Sequence, residues 1–245
     1  FFLMIRRPPR STLFPYTTLF DLDHVLPLFL DHVTFFAVQR DNTKDLTLRA
    51  IFDSFVVDEE RHSTVADRLA RHYDVHRYKR YRRNPHMIRF QKHFVRAVKE
   101  LSPDIANAYI TTGELLLDIA LLRSLDDFVD DEMSHAAMKL INRDESRHIA
   151  IDYHMSEYYA SPEYDAWLAK QPPKSRGAQL RAWTALAQMI RHAQPFFRDV
   201  FFRPMDMVDP QGKRLREAFK RIQLLGLKTG PTRPFSKFLR TMFDI

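Results

Sequence analysis

An all-α fold is what this sequence predicts, and three observations predict it. Only 5 glycines occur in 245 residues, the first at Gly113. Apolar residues recur at helical spacing through long segments, and no segment shows the two-residue alternation of a half-buried strand. The composition is rich in Leu, Ala, Phe and Arg, which tolerate or favour helix. The first helix is expected over about 26–40, with Pro27 near its first turn and Asp41-Asn42 as its stop. A second, about 44–73, carries Phe52, Phe55, Val56, Ala66 and Leu69 at helical spacing. A basic connector, His76 to His86, is closed by Pro85, and a third helix follows over about 87–101. Ser102-Pro103-Asp104 reads as an N-cap, a proline at the first helical position and a first-turn acid, opening a fourth helix that ends near Arg123. The fifth is long, about 128–159, and ends before Ser161-Pro162. Residues 171–177, with Pro172 and Pro173, form a loop and the one internal boundary the sequence suggests. A sixth helix over about 178–202 is expected to kink at Pro195, and the proline-punctuated remainder reads as short helices and loops.

Composition excludes several kinds of chemistry. With no Cys there is no disulfide scaffold, thiolate zinc site, iron–sulfur cluster or Cys nucleophile. Gly-dependent nucleotide loops and nucleophile elbows are absent as well. No apolar run approaches the roughly 20 residues of a membrane span, and a cytoplasmic location is expected. Residues 1–20 stand apart: from Met4 to Phe20 they resemble the translation of a sequencing adapter, and we set them aside. Of the formal charge of +7, three units belong to Arg6, Arg7 and Arg10 of that stretch.

Two segments repeat one local pattern. Asp58-Glu59-Glu60-Arg61-His62 lies on the second helix and Asp144-Glu145-Ser146-Arg147-His148 on the fifth, so both read Asp-Glu-x-Arg-His. Within each, Glu and His at i and i+3 share a face. Between them the fourth helix carries Glu114, whose neighbours at helical spacing are Ile110, Thr111, Leu117 and Leu121. Glu59 shares a face with Phe52, Phe55 and Ala66, and Glu145 with Met138 and Ile141. Carboxylates on such stripes must be neutralised, paired or bound to metal when buried. Three carboxylates and two imidazoles converging in one bundle have a simple solution in two metal ions bound by carboxylate oxygen and neutral imidazole. The bland alternative is two solvated salt-bridge networks and an exposed Glu114.

A Glu from each of two helices plus Glu-x-x-His from each of two others is the di-iron arrangement of helical bundles. On these motifs and the spacing of Glu59, Glu114 and Glu145, residues 24–160 resemble the ferritin-like superfamily. The closer likeness is to its O2-activating branch of acyl desaturases, multicomponent monooxygenases and arylamine N-oxygenases. The resemblance implies a ferritin-like four-helix bundle over 21–160, with 161–245 as additional helices packing on it within the same domain. It implies two iron ions, with manganese possible at one or both positions, held by Glu59, His62, Glu114, Glu145 and His148. Asp58 and Asp144 would accept the far ring N–H of the imidazoles, and Arg61 and Arg147 would hold those Asp. The first helix should add a carboxylate. No Glu is present there, so Asp31 is the candidate, with His32, His24, Asp21 or a residue further upstream as alternatives. The arylamine N-oxygenases place a His one turn before the last Glu; here that position is Ile141, a departure from their pattern.

The implied activity is oxidation of an organic substrate by O2, through hydroxylation, desaturation or N-oxygenation, with electrons from a reductase or ferredoxin. The substrate would be a small organic molecule or one bound to a carrier, and a homodimer is compatible. Glu114 and Thr111 are the candidate catalytic residues. Thr111, one turn before Glu114, could donate a hydrogen bond into the site, or bond its own helix carbonyl instead. Two rival functions remain open: an iron-storage ferroxidase using a similar site, and a basic nucleic-acid-binding protein resting on the cluster His76 to Arg83. That cluster could equally dock an acidic carrier or be a solvated linker. His135, His154 and His192 are read as structural, and the Phe-rich stretches at Phe196-Phe197 and Phe201-Phe202 as core or substrate channel.

Overall fold

The computed structural model describes residues 33, 35–41, 43–73, 85–129 and 131–228, which are helical apart from short turns and contain no strand. The chain divides into two units, Phe1–Lys92 with Ile190–Val208, and His93–Met189 with Asp209–Ile245. Both divisions that bound the first stretch of the second unit fall inside helices.

In the first unit a helical segment, 35–41, precedes α1 (Leu46–Tyr73). The Asp45 carboxylate accepts from the N–H groups of Thr47 and Leu48 at 2.8 and 3.1 Å, which satisfies two of the orphan donors at the start of α1. Phe35 and Phe36 are fully buried, and the Phe36 ring packs on Phe55 and Phe52 at 5.1 and 6.2 Å. Phe52 and Phe55 are the positions the helical spacing assigned to the core. From the start of α2 (Pro85–Glu100), Phe90 stacks on Phe196 at 4.9 Å. Phe196 lies near the end of α6 (Arg176–Phe197), which contains Pro195. Proline offers no N–H to the turn before it, and within three residues the helix widens into a π-helical turn, Arg198–Phe202, before α7 (Arg203–Val208). The disturbance expected at Pro195 is therefore a change of helix type just beyond it.

In the second unit α3 runs over Pro103–Val129. Ser102 holds the N-cap position with Pro103 after it, but its side chain makes no capping hydrogen bond. The middle of α3, Leu115–Leu122, is π-helical. The helix extends six residues past the expected stop at Arg123, because Ser124 and Leu125 are buried and continue its packed face. Helix α4 (Glu132–Tyr159) begins later than expected, at Asp131, whose carboxylate accepts from the Ser134 N–H at 3.0 Å. A short α5 (Pro162–Ala169) was not anticipated: Ser161-Pro162 ends α4 but also starts a helix, with the Ser161 hydroxyl accepting from the Tyr164 N–H. The loop 171–175 lies within this unit. Gly212, at φ 62°, turns the chain into α8 (Lys213–Lys228). There the Asp209 carboxylate accepts from three successive backbone N–H groups, those of Lys213, Arg214 and Leu215.

Helix α3 packs along α4, and α8 packs against its π-helical stretch, with Ala218, Ile222 and Leu225 of α8 buried and Leu225 against Ala108. Ion pairs Arg214–Asp127 and Lys228–Glu157 fasten α8 at both ends. By length and composition α3 could cross a membrane, which the sequence reading did not expect, but 83% of its most apolar window is buried inside the protein. It serves as the central core helix of its unit.

Candidate metal site

The site residues sit where core periodicity would place apolar side chains. On α1 the buried residues include Phe52, Phe55, Glu59, His62, Ser63, Ala66 and Leu69. Glu59 is wholly buried and His62 nearly so, with Nδ1 of His62 3.9 Å from Oε1 of Glu59. On α4 the stripe is Met138, Ile141, Glu145, His148, Asp152 and Ser156, all buried. Nδ1 of His148 lies 3.2 Å from Oε2 of Glu145. On α3, Ile110, Thr111, Glu114, Leu117, Asp118 and Leu121 are buried.

Within the second unit, α3 and α4 bring Glu114, Glu145 and His148 together: one potential ligand atom from each lies within 4.8 Å of the others. All three are almost completely removed from solvent. Two carboxylates that close repel by about 3 kcal/mol at an effective dielectric constant of about 20, and each also forgoes hydration. A cation between them removes the repulsion and replaces the lost water. The donor set, carboxylate oxygen with imidazole nitrogen and no sulfur, suits iron, manganese or zinc. Glu59 and His62, the other copy of the repeated motif, are buried in the first unit in the same i,i+3 relation.

The aspartates before each motif Glu are held by the motif arginines. Asp58 is buried, with Arg61 Nη1 at 3.7 Å, and Asp144 is buried, with Arg147 Nη2 at 3.1 Å and Arg143 Nη2 at 3.3 Å. The arginines themselves are mostly exposed, so these pairs orient the carboxylates more than they stabilise the fold. The Thr111 hydroxyl donates to the Asn107 carbonyl at 2.8 Å, the helix-bonded alternative noted for it, and accepts from Asn107 Nδ2 at 3.3 Å. His135 has Nδ1 2.6 Å from Asp126 Oδ1, and His154 is exposed. Phe196 and Phe201 are core residues. Asp31, the basic cluster 76–83 and residues 1–20 lie outside the described residues.

Sequence reasoning missed a second tier of polar groups on these stripes. Asn107 Nδ2 also donates to Ser156 Oγ at 3.0 Å and to the Asp152 carbonyl at 3.4 Å, fastening α3 to α4 beyond the site. Asp118 is fully buried and accepts from Arg123 Nη2 at 3.2 Å. Its carboxyl is pushed up to about 6, first by burial, with Glu145 adding to the rise and Arg123 and Arg221 opposing it. An i,i+5 pair does not face in an α-helix, but the wider π turn brings Arg123 over Asp118. The signal available was the spacing itself. Asn107, Thr111, Glu114 and Asp118 recur at steps of four, three and four, as do Glu145, His148, Asp152 and Ser156 at three, four and four. Comparison with protein-family models, with characterised proteins and with solved structures gives no match.

Proposed function

We propose that the chain is a ferritin-like di-metal carboxylate protein that uses O2 to oxidise an organic substrate. The observation that carries the reading is the buried convergence of Glu114, Glu145 and His148 within 4.8 Å. In it, the first Asp-Glu-x-Arg-His motif would contribute Glu59 and His62 as further ligands beside Glu114, Glu145 and His148. Two iron ions would supply the redox chemistry with O2, and manganese is compatible with the same ligands.

The chain's own residues do the rest. Ile110, Leu117, Leu121, Met138 and Ile141 wall the ligand carboxylates with hydrocarbon, which excludes water and strengthens every charge interaction inside. They also make the environment suited to an apolar substrate. Asp144, held by Arg143 and Arg147, and Asp58, held by Arg61, fix the tautomer and angle of the ligating imidazoles. The Thr111 hydroxyl is bound to the Asn107 carbonyl and so serves its own helix.

The test is anaerobic Fe(II) loading followed by metal analysis and an optical spectrum on exposure to O2. About two irons per chain are expected in the wild type, and far fewer in a His62→Ala/His148→Ala double variant. Stoichiometric iron retained by the double variant would rule the site out. A cage-sized particle that mineralises iron without oxidising any organic substrate would replace the oxygenase reading with storage.

A further inference from the structure

Asp118 is not among the ligands, and its setting is unusual for an acid on a core helix. It is fully buried, four residues beyond Glu114 on the π-helical stretch. One carboxyl oxygen, Oδ2, accepts from Arg123; the other, Oδ1, is buried and makes no hydrogen bond. Buried polar atoms left in that state are uncommon and call for a reason. The charged groups that act on it come from each element packed around it: Arg123 on its own helix, Glu145 on α4 and Arg221 on α8. Arg123 is 30% exposed, and its charge is felt by Glu217 of α8, itself at the surface and paired with Arg221. Asp118 is therefore within electrostatic reach of a ligand carboxylate, Glu145, and is hydrogen-bonded to Arg123, which reaches solvent.

We infer that Asp118 is the proton-delivering carboxyl of the site, an assignment that rests on the di-iron reading above. Oxidation that inserts one atom of O2 into a C–H bond and releases the other as water takes two electrons from a reductant and two protons from solvent. A dry, hydrocarbon-walled site needs a carrier for those protons. Neutral Asp118 gives its proton toward the Glu114 and Glu145 side and becomes a carboxylate, which the Arg123 guanidinium then stabilises. It recovers a proton from water beside the part-exposed Arg123, so each cycle moves one proton and no electrons, and two cycles supply the two protons of one turnover. A carboxyl near neutrality, as burial makes this one, can both give and take at physiological pH. The π turn is part of the device, because without it Arg123 would not face Asp118.

The test uses the full chain as wild type, Asp118→Asn and Asp118→Glu. Metal-free protein is titrated by infrared spectroscopy, and iron-loaded protein is assayed for iron content and for the rate at which the reduced site is oxidised by O2 between pH 5 and 8. A protonated-carboxyl band in the wild type that titrates near neutrality and is absent in Asp118→Asn is expected. The Asn variant should keep its iron yet lose oxidation rate by at least about 10²-fold, the low end for a lost acid–base group, with substantial recovery in Asp118→Glu. Undiminished oxidation by an iron-replete Asn variant would overturn the assignment, as would a wild type without the titrating band. Should the Asn variant fail to fold, the band and the Glu variant decide it. A wild type that binds no iron sinks the di-iron reading instead, and the two failures are told apart by the metal analysis.

Discussion

Replacing Glu114 by Gln should stabilise the metal-free protein and weaken the metal-loaded one. The side chains are nearly isosteric, so the change is chiefly one of charge. Glu114 lies within 4.8 Å of Glu145, and both are buried. Their repulsion without metal is about 3 kcal/mol at an effective dielectric constant of about 20. That repulsion is an upper bound, so the expected gain is about 1–3 kcal/mol at pH 7. For a chain of this size that corresponds to a rise of roughly 2–10 °C in Tm. With saturating Fe(II) the order should invert, because binding stabilises only the folded state and the variant has lost a ligand. The assay is thermal and urea unfolding of both proteins, with chelator and with anaerobic Fe(II). A metal-free variant less stable than the wild type, or a ranking that metal does not reverse, would refute the electrostatic argument for this site.

The double variant His62→Ala/His148→Ala should lose iron while remaining helical by circular dichroism, since each imidazole lies on a stripe otherwise filled by well-packed neighbours. Asp144→Ala should weaken metal binding or turnover about 10–100-fold without unfolding the protein, the usual effect of removing a group that orients a ligating His; unchanged affinity and turnover would end that role. Asp118 has a folded-state pKa of about 6, raised above its ordinary 3.8. The folded protein therefore binds the proton more tightly than the unfolded chain, and stability falls as pH rises from about 4 to about 6, by on the order of 3 kcal/mol. Urea unfolding of the metal-free protein across that window should show the slope, and Asp118→Asn should flatten it.

The helices and the burial of their chemistry were legible because one periodicity encodes both. Phe52, Phe55 and Ala66 on α1, and Met138 and Ile141 on α4, mark the inward face, and Glu59, His62, Glu145 and His148 fall on the same faces. Glu114 was legible as a carboxylate on a stripe with Ile110, Leu117 and Leu121, whereas Asp118, four residues on along the same face, was passed over. The start of α5 was hidden because Ser161-Pro162 is equally a stop and a start. Ser102 carried a capping residue's identity without the bond, since identity fixes what a side chain can accept and not where its hydroxyl turns. Asp31 belongs to the stretch outside the described residues, so the first-helix ligand rests on sequence alone.

The least legible feature is the one that organises the site. Leu115–Leu122 reads LLLDIALL, with neither Gly nor Pro to announce a change of helix type. A π turn gives up good hydrogen-bond geometry and persists where tertiary contacts repay it. Here the repayment is visible: α8 packs against the stretch, and Asp118 gains Arg123 as a partner that an α-helical register would deny it. The same widening shifts every residue after Glu114 relative to those before it. Thr111 and Asn107 then serve the α3–α4 contact, while Asp118 serves the charged edge under α8. Glu114 stands at the junction of the two registers. Its helix is fastened to α4 on one side through the Asn107 side chain and is π-helical on the other. On the di-metal reading proposed above, a carboxylate whose binding changes with the charge of the metals would stand where its helix changes register, and α3 would supply that place.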